Sequence, residues 1–263
     1  MSFTQKYTIT PRYLTPNTKR RSGLPISRVK FVVAHDTGNP GSTAAGNVSY
    51  YEQSRNQMSA SAHLFVDDKE IVECIPALTG DRPEKAWHVL YNLPKDNNMY
   101  GVDANDGAIA VEYCYGGAIN ADEAYRRYVW VLAYLCYVFT LDPKTSIVGH
   151  YILDPDRRSD PKSGLAHSGR TYEQLLRDVV AEYAACTQQS NPSQPPIPSL
   201  MKLIKNRTSN KVYAIGNDRK KYWIFNEETF TVGRQMGLWG DYGDIQIEDD
   251  DPYAMGHTML LVR

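Results

Sequence analysis

The sequence predicts an α/β domain followed by a small, mostly β module. Three observations carry that reading. Apolar runs of strand length, residues 30–37 (KFVVAHDT), 108–115 (AIAVEYCY) and 146–150 (SIVGH), alternate with stretches of helical periodicity. Residues 121–139 place Tyr125, Val129, Leu132, Leu135, Cys136 and Phe139 at three- and four-residue steps, an amphipathic helix. Residues 187–199 (TQQSNPSQPPIPS) hold four prolines and no charge, so they cannot form a core and read as a semi-stiff linker. The expected domains are therefore 1–186, a linker at 187–199, and a module at 200–263.

Taken in order, residues 1–28 are polar and turn-rich and should form an ordered but irregular arm. Strand 30–37 ends on His35, and Gly38, Asn39, Pro40 and Gly41 then force a turn. A helix over 42–54 carries Tyr50 and Tyr51. Runs 61–67 and 70–75, joined at Asp67, Asp68 and Lys69, predict a hairpin. A long loop, 76–107, holds Trp87 and His88, and loops of that length usually line a site. After strand 108–115, helix 121–139 begins with Asp122 and Glu123, which suit its positive end. Strand 146–150 and a second long loop follow. The last helix of the domain opens on a capping box, Thr171 to Gln174. In 200–263, short runs such as KVYAI and YWIF flank Gly216, Asn217 and Asp218, and aromatic residues are numerous.

With 29 basic and 30 acidic residues the net charge is −1, which offers nothing to nucleic acid or to a membrane surface. Hydrophobic content of 42% and charged content of 22% are those of a globular protein. The longest apolar run, 128–139, is too short to span a bilayer. The four cysteines, Cys74, Cys114, Cys136 and Cys186, match neither metal pairs nor a disulfide framework, and buried free thiols are expected.

The chemistry gathers at strand ends. His35 and His150 each close a core strand, and a carboxylate would complete a three-ligand zinc site with one position open. Asp160 is one candidate; Asp36 and Asp154 are its rivals, and spacing does not choose among them. Glu112 is a lone carboxylate in an apolar strand, expensive to bury unless paired or catalytic. Its pKa should rise in a desolvated cleft, which suits a general base. His88 could donate to an oxyanion or pack on Trp87.

These residues, in VVAHDTG, SASAHLFVDDKEIVECIP, AWH, AIAVEY and IVGH followed by RRSDP, resemble the zinc-dependent N-acetylmuramoyl-L-alanine amidases of the type-2 family, related to peptidoglycan-recognition proteins. The resemblance covers about residues 29–180. It implies a central mixed β-sheet flanked by helices, and cleavage of the amide between N-acetylmuramic acid and the L-alanine of the stem peptide. It implies His35, His150 and Asp160 as zinc ligands and Glu112 as general base. Arg158 falls where many members carry a lysine that polarises the carbonyl, a departure that changes the approach geometry. His88 matches a histidine near the substrate amide, and His63 belongs to the strand motif without being a ligand.

An amidase, a linker and an aromatic-rich module resemble a bacteriophage endolysin, with residues 200–263 binding a cell-wall polymer and raising local enzyme concentration. No secretory leader is expected from the N-terminus, which places the protein in the host cytoplasm until the membrane is breached. Met201, directly after the linker, could start a shorter product and allow homo- or hetero-oligomers. A bacterial autolysin, a wall-recycling amidase and a non-catalytic wall-binding protein are the alternative readings.

Overall fold

A computed structural model describes residues 2–187, 202–205, 211–215, 220–224, 226–235, 245–247 and 254–255. The chain separates into two compact units, Met1–Gln189 and Ser190–Arg263. In the first, the elements run β1 (Ile9–Pro11), β2 (Phe31–Asp36), α1 (Ala44–Gln53), β3 (Leu64–Val66), β4 (Ile71–Glu73), α2 (Pro94–Tyr100), α3 (Ala104–Gly107), β5 (Ala108–Tyr113), α4 (Ala121–Val138), β6 (Ile147–Gly149), α5 (His150–Leu153), α6 (Lys162–His167) and α7 (Tyr172–Thr187). The six strands form one mixed sheet in the order β1-β4-β3-β5-β2-β6, in which only β3 and β4 run antiparallel. This is the expected central mixed sheet flanked by helices.

All six residues of β2 are buried, as a strand with neighbours on both edges and cover on both faces must be. Alternation sorts its side chains. Val32 and Ala34, with Ile109, Val111 and Tyr113 of β5, join the core that contains Tyr128, Trp130, Leu132 and Leu135 of α4 and Leu175 and Val179 of α7. Phe31 and Val33, with Ala108 and Ala110, occupy cores on the opposite face. His35 shares the parity of Phe31 and Val33, and Glu112 that of Ala108 and Ala110. Both therefore project away from α4 and α7.

The arm is more regular than its composition suggests, since residues 9–11 add strand β1 parallel to β4. Pro11 is tolerated there because β1 is an edge. The hairpin forms, with shorter strands than expected, and Asp67 builds its turn by accepting from the N–H groups of Lys69 and Glu70 at 2.8 and 2.9 Å. The stretch 76–107 holds two short helices, α2 with Pro94 in its first turn and α3 capped by Asp103. At α7, Thr171 Oγ1 accepts from Gln174 N–H at 3.1 Å, as the capping box requires. The four cysteines are free and buried.

The second unit contains a five-stranded sheet: β7 (Lys202–Lys205), β8 (Val212–Ile215), β9 (Lys220–Trp223), β10 (Gln246–Ile247) and β11 (Ala254–Met255), ordered β10-β7-β8-β9-β11. It also holds a helix, α8 (Glu227–Gln235), that strand patterning did not foretell. Leu203, Ala214, Ile224 and Phe230 are buried together. Tyr213, Tyr222 and Trp223 are half-buried, with Lys211 Nζ 4.3 Å from the Trp223 ring centre. The linker after Thr187, Met201, and the aromatic residues Phe225, Trp239, Tyr242 and Tyr253 lie outside the described residues.

Candidate metal centre

Strand register assembles the site. β2 lies between β5 and β6, parallel to both, and His35 pairs with Glu112 while Ala34 pairs with Gly149. His150 follows Gly149 as the first residue of α5. The three side chains thus emerge together at the carboxyl ends of adjacent parallel strands, where open α/β sheets place their ligands.

Asp160 comes from the loop after α5 and meets both imidazoles. Its Oδ2 lies 2.8 Å from His35 Nδ1 and 3.1 Å from His150 Nδ1. The ligand atoms of His35, His150 and Asp160 all fall within 4.8 Å of one another. The two histidines are buried and Asp160 nearly so. Burial opposes the charge on Asp160, but the hydrogen bonds from His150 and His35 outweigh it and hold the carboxyl well below its usual range. Burial, partly offset by Asp160, pushes His35 down, so its ring stays neutral and able to ligate.

The two rival aspartates have other partners. Asp154 pairs with Arg157, whose Nε lies 3.1 Å from Oδ1. Asp36 clamps the Asp160 loop to β2: its Oδ2 accepts from Ser163 Oγ and Gly164 N–H, each at 2.7 Å, and its Oδ1 accepts from Gly38 N–H at 2.9 Å. The approach is close enough that a Cβ on Gly164 would lie 2.8 Å from Asp36 Cβ and from the Tyr115 ring. Tyr151 N–H adds a bond to the Asp160 carbonyl at 3.0 Å. These contacts fix the loop that carries Asp160.

Glu112 is half-buried; its Oε2 is shielded from solvent and takes no hydrogen bond. Burial, followed by the charges of Asp160 and Asp36, raises its pKa well above the ordinary value, against the opposing pull of Arg158. Arg158 lines the same cleft and makes no ion pair among the described residues. The cleft has a volume of about 330 Å³ and is walled by Tyr51, Ser61, Trp87 and Ser159 in addition to the residues above. A second hollow of about 480 Å³ continues from it past Glu112, Thr37 and Tyr51 toward Asn39 and Asn47.

His88 lines the same cleft, its Nδ1 3.1 Å from His35 Nε2. His63 is engaged on both nitrogens with backbone, accepting from Ala110 N–H at 2.9 Å and facing the Glu84 carbonyl at 2.8 Å. Burial lowers its pKa to about 4. It is a structural residue.

Three contributors were not singled out from the sequence. Tyr128, in the middle of α4, donates to the His35 carbonyl at 2.9 Å. Asn105 holds the backbone at His88. Arg20, from the arm, is buried beneath Tyr51, its guanidinium carbon 4.1 Å from that ring centre and 5.2 Å from the Tyr50 ring. Its Nε lies 3.1 Å from Ser54 Oγ, and it donates to the Ala60 carbonyl. None of the three stands out by pattern, since a tyrosine on an apolar helix face, an asparagine in a loop and an arginine in a polar arm are commonplace.

The N-acetylmuramoyl-L-alanine amidase family model matches residues 25–163. The amidase BlyA of Bacillus subtilis is 30% identical over 241 residues, covering 87% of this chain and 63% of its own length. A probable N-acetylmuramoyl-L-alanine amidase of Bacillus licheniformis is 29% identical over 196 residues, covering 69% of this chain and 52% of its own. The chain thus spans between half and two thirds of these relatives. Among solved structures, the catalytic domain of XlyA superposes with a TM-score of 0.52 at 20% identity, covering 65% of this chain and 99% of its own. A mutant endolysin from Bacillus subtilis gives 0.52 at 19% identity, covering 66% and 99%. These two establish likeness of fold. The family match runs through the strands that carry His35 and Glu112, the start of α5 at His150 and the loop that carries Asp160, and the chain belongs to the N-acetylmuramoyl-L-alanine amidase family.

Proposed function

We propose that the protein is a zinc-dependent peptidoglycan hydrolase that cleaves the amide between N-acetylmuramic acid and the L-alanine of the stem peptide. The observation that carries this reading is the convergence of two imidazole Nδ1 atoms on one carboxylate oxygen, beside a second carboxylate whose shielded Oε2 has no partner. The donor set fits zinc. Ligands about 2.0–2.2 Å from a tetrahedral ion lie roughly 3.3–3.6 Å apart, somewhat wider than the 2.8 and 3.1 Å found here, so the cluster would open slightly to take the ion. His35, His150 and Asp160 would hold the ion. Zinc bound there would polarise a carbonyl and make water a better nucleophile at neutral pH.

The remaining steps belong to the chain. Glu112 takes a proton from the attacking water as its oxygen bonds to the lactyl carbonyl carbon. Its raised pKa keeps that proton long enough to deliver it to the departing alanine nitrogen as the C–N bond breaks. The products are a muramyl carboxylate and a free peptide amine. Arg158, on the cleft rim, offers its cation to the carbonyl oxygen as negative charge develops there. Trp87 and Tyr51 wall the cleft against water on either side.

In this reading the protein acts as a phage endolysin. It is made in the host cytoplasm and reaches the wall once the membrane is breached. Residues 200–263 form the wall-binding module, and a start at Met201 would supply that module separately for oligomers. The chain contains no helix, among the described residues, long and apolar enough to cross a membrane. The test is end-group chemistry on purified walls. New N-terminal alanine without new reducing sugar ends, abolished by a chelator and restored by zinc, is the expected result. New reducing ends, or lysis that survives full metal removal, would defeat the proposal.

A further inference from the structure

The His35 ring has two nitrogens, and the metal reading engages one. Nδ1 faces Asp160, while Nε2 lies 3.1 Å from His88 Nδ1, the rings meeting edge-on at 87°. A neutral imidazole carries one proton. With Nδ1 bare for ligation in the zinc-bound state, the ring's proton sits on Nε2, 3.1 Å from His88 Nδ1. His88 Nδ1 is the acceptor that meets it. His88 then holds its own proton on Nε2, which finds no acceptor within hydrogen-bond distance.

His88 is held with unusual thoroughness for a residue in a long connection. Asn105 is buried to 1% exposure, and its side-chain amide is devoted to two residues. Its Oδ1 accepts from His88 N–H at 2.8 Å and Val89 N–H at 3.1 Å, and its Nδ2 donates to the Val89 carbonyl at 2.7 Å. One residue earlier, Ser61 N–H donates to the Trp87 carbonyl at 2.9 Å and Trp87 N–H donates to Ser61 Oγ at 3.1 Å. The connection is pinned at the residue that touches His35. His150 has no such tether, since its Nε2 is buried without a partner.

We infer that His88 is a positioning residue. By accepting from His35 Nε2–H it fixes the tautomer and the ring plane that leave Nδ1 bare toward Asp160 and His150, and Asn105 holds it in place to do so. This rests on the zinc reading above, and it gives His88 a role toward His35 in addition to its place in the cleft lining. Partners of this kind typically change metal affinity by about 10–100-fold when removed.

The test is zinc affinity of the full chain, measured by competition with a chromogenic chelator, for wild type and for His88→Ala, His88→Asn, His88→Gln and His35→Ala. Asparagine sets its Oδ1 near the lost Nδ1, and glutamine sets its amide nearer the lost Nε2. The expected result is zinc affinity weaker by about 10–100-fold in His88→Ala, largely restored in His88→Asn and not in His88→Gln. The cobalt-substituted spectrum of His88→Asn should match wild type. Should His88→Ala fail to fold, the asparagine and glutamine variants decide between themselves. Unchanged zinc affinity in His88→Ala, equal weakening in Asn and Gln, or a kcat rescued by Gln alone would overturn the inference. A wild type that binds no zinc, or a His35→Ala that binds it as wild type does, would overturn the zinc reading and the inference with it.

Discussion

Two strand glutamates of this sheet, Glu73 and Glu112, each carry a carboxylate oxygen shielded from solvent, and they have opposite surroundings. Glu73, at the end of β4, is 0% exposed, and its Oε1 accepts from the N–H groups of Ala77, Leu78 and Thr79 at 2.7, 3.1 and 3.2 Å. Glu112, one residue from the end of β5, leaves Oε2 without any donor and faces the cleft. The first carboxylate organises a turn and is satisfied in doing so. The second is held unsatisfied beside the metal-type cluster, which is how an acid–base group is kept reactive. In the proposed reading, what singles out Glu112 is the missing donor at Oε2, since Glu73 is the more deeply buried of the two.

The largest expected break in this comparison is Glu112→Ala, which should reduce kcat by about 10²–10⁴-fold while leaving one zinc per chain. Metal analysis of the variant checks this, and a variant without zinc would mean that a ligand has been taken for a base. Glu73→Ala should do the reverse. It should lose about 1–3 kcal/mol of stability in denaturant titration through its orphaned N–H groups, with turnover at 25 °C unchanged. Between these stands Asp36, which acts on Asp160 through the loop. Asp36→Ala should weaken zinc by about 10–100-fold without removing a ligand. Equal zinc affinity in that variant would show that the loop holds Asp160 unaided.

Arg158→Lys is expected to change kcat by less than about tenfold, since charge is kept and only the fork geometry is lost. Arg158→Ala should lose more, and equal rates in all three would remove Arg158 from the mechanism. The smallest effect concerns stability. Burial raises the Glu112 pKa, so folding weakens as pH climbs from below the ordinary value of 4.5 through the folded-state value. Metal-free Glu112→Gln should therefore melt higher than metal-free wild type at pH 7, with the gap closing in acid. A gap that widens in acid would reverse the assigned direction.

The strands ending on His35 and His150 were readable because apolar runs between turn residues have few other uses. Their convergence with Glu112 follows from parallel register. Asp160 could not be separated from Asp36 and Asp154 by spacing, because the choice is made by hydrogen bonds across the fold. Asp36 is taken by Ser163 and Gly164, and Asp154 by Arg157. Glu73 and Glu112 look alike in EIVECI and AIAVEY, and only their donors tell them apart. Strand β1 was hidden by its three-residue length and by Pro11. Helices α2 and α3 were hidden by having no apolar face to show, although Pro94 and Asp103 mark their starts.

Arg20 carries a practical consequence. The family match begins at residue 25, yet the guanidinium that props Tyr51 and ties down Ser54 and Ala60 comes from before it, as does β1 at the sheet edge. The far wall of the cleft is therefore built partly by residues outside the shared family segment. Trimming the chain to its recognisable part would leave the ligands in place and let the wall opposite them slacken. A shortened chain starting at residue 25 should still bind zinc while its KM rises, and a chain starting at residue 2 sets the reference.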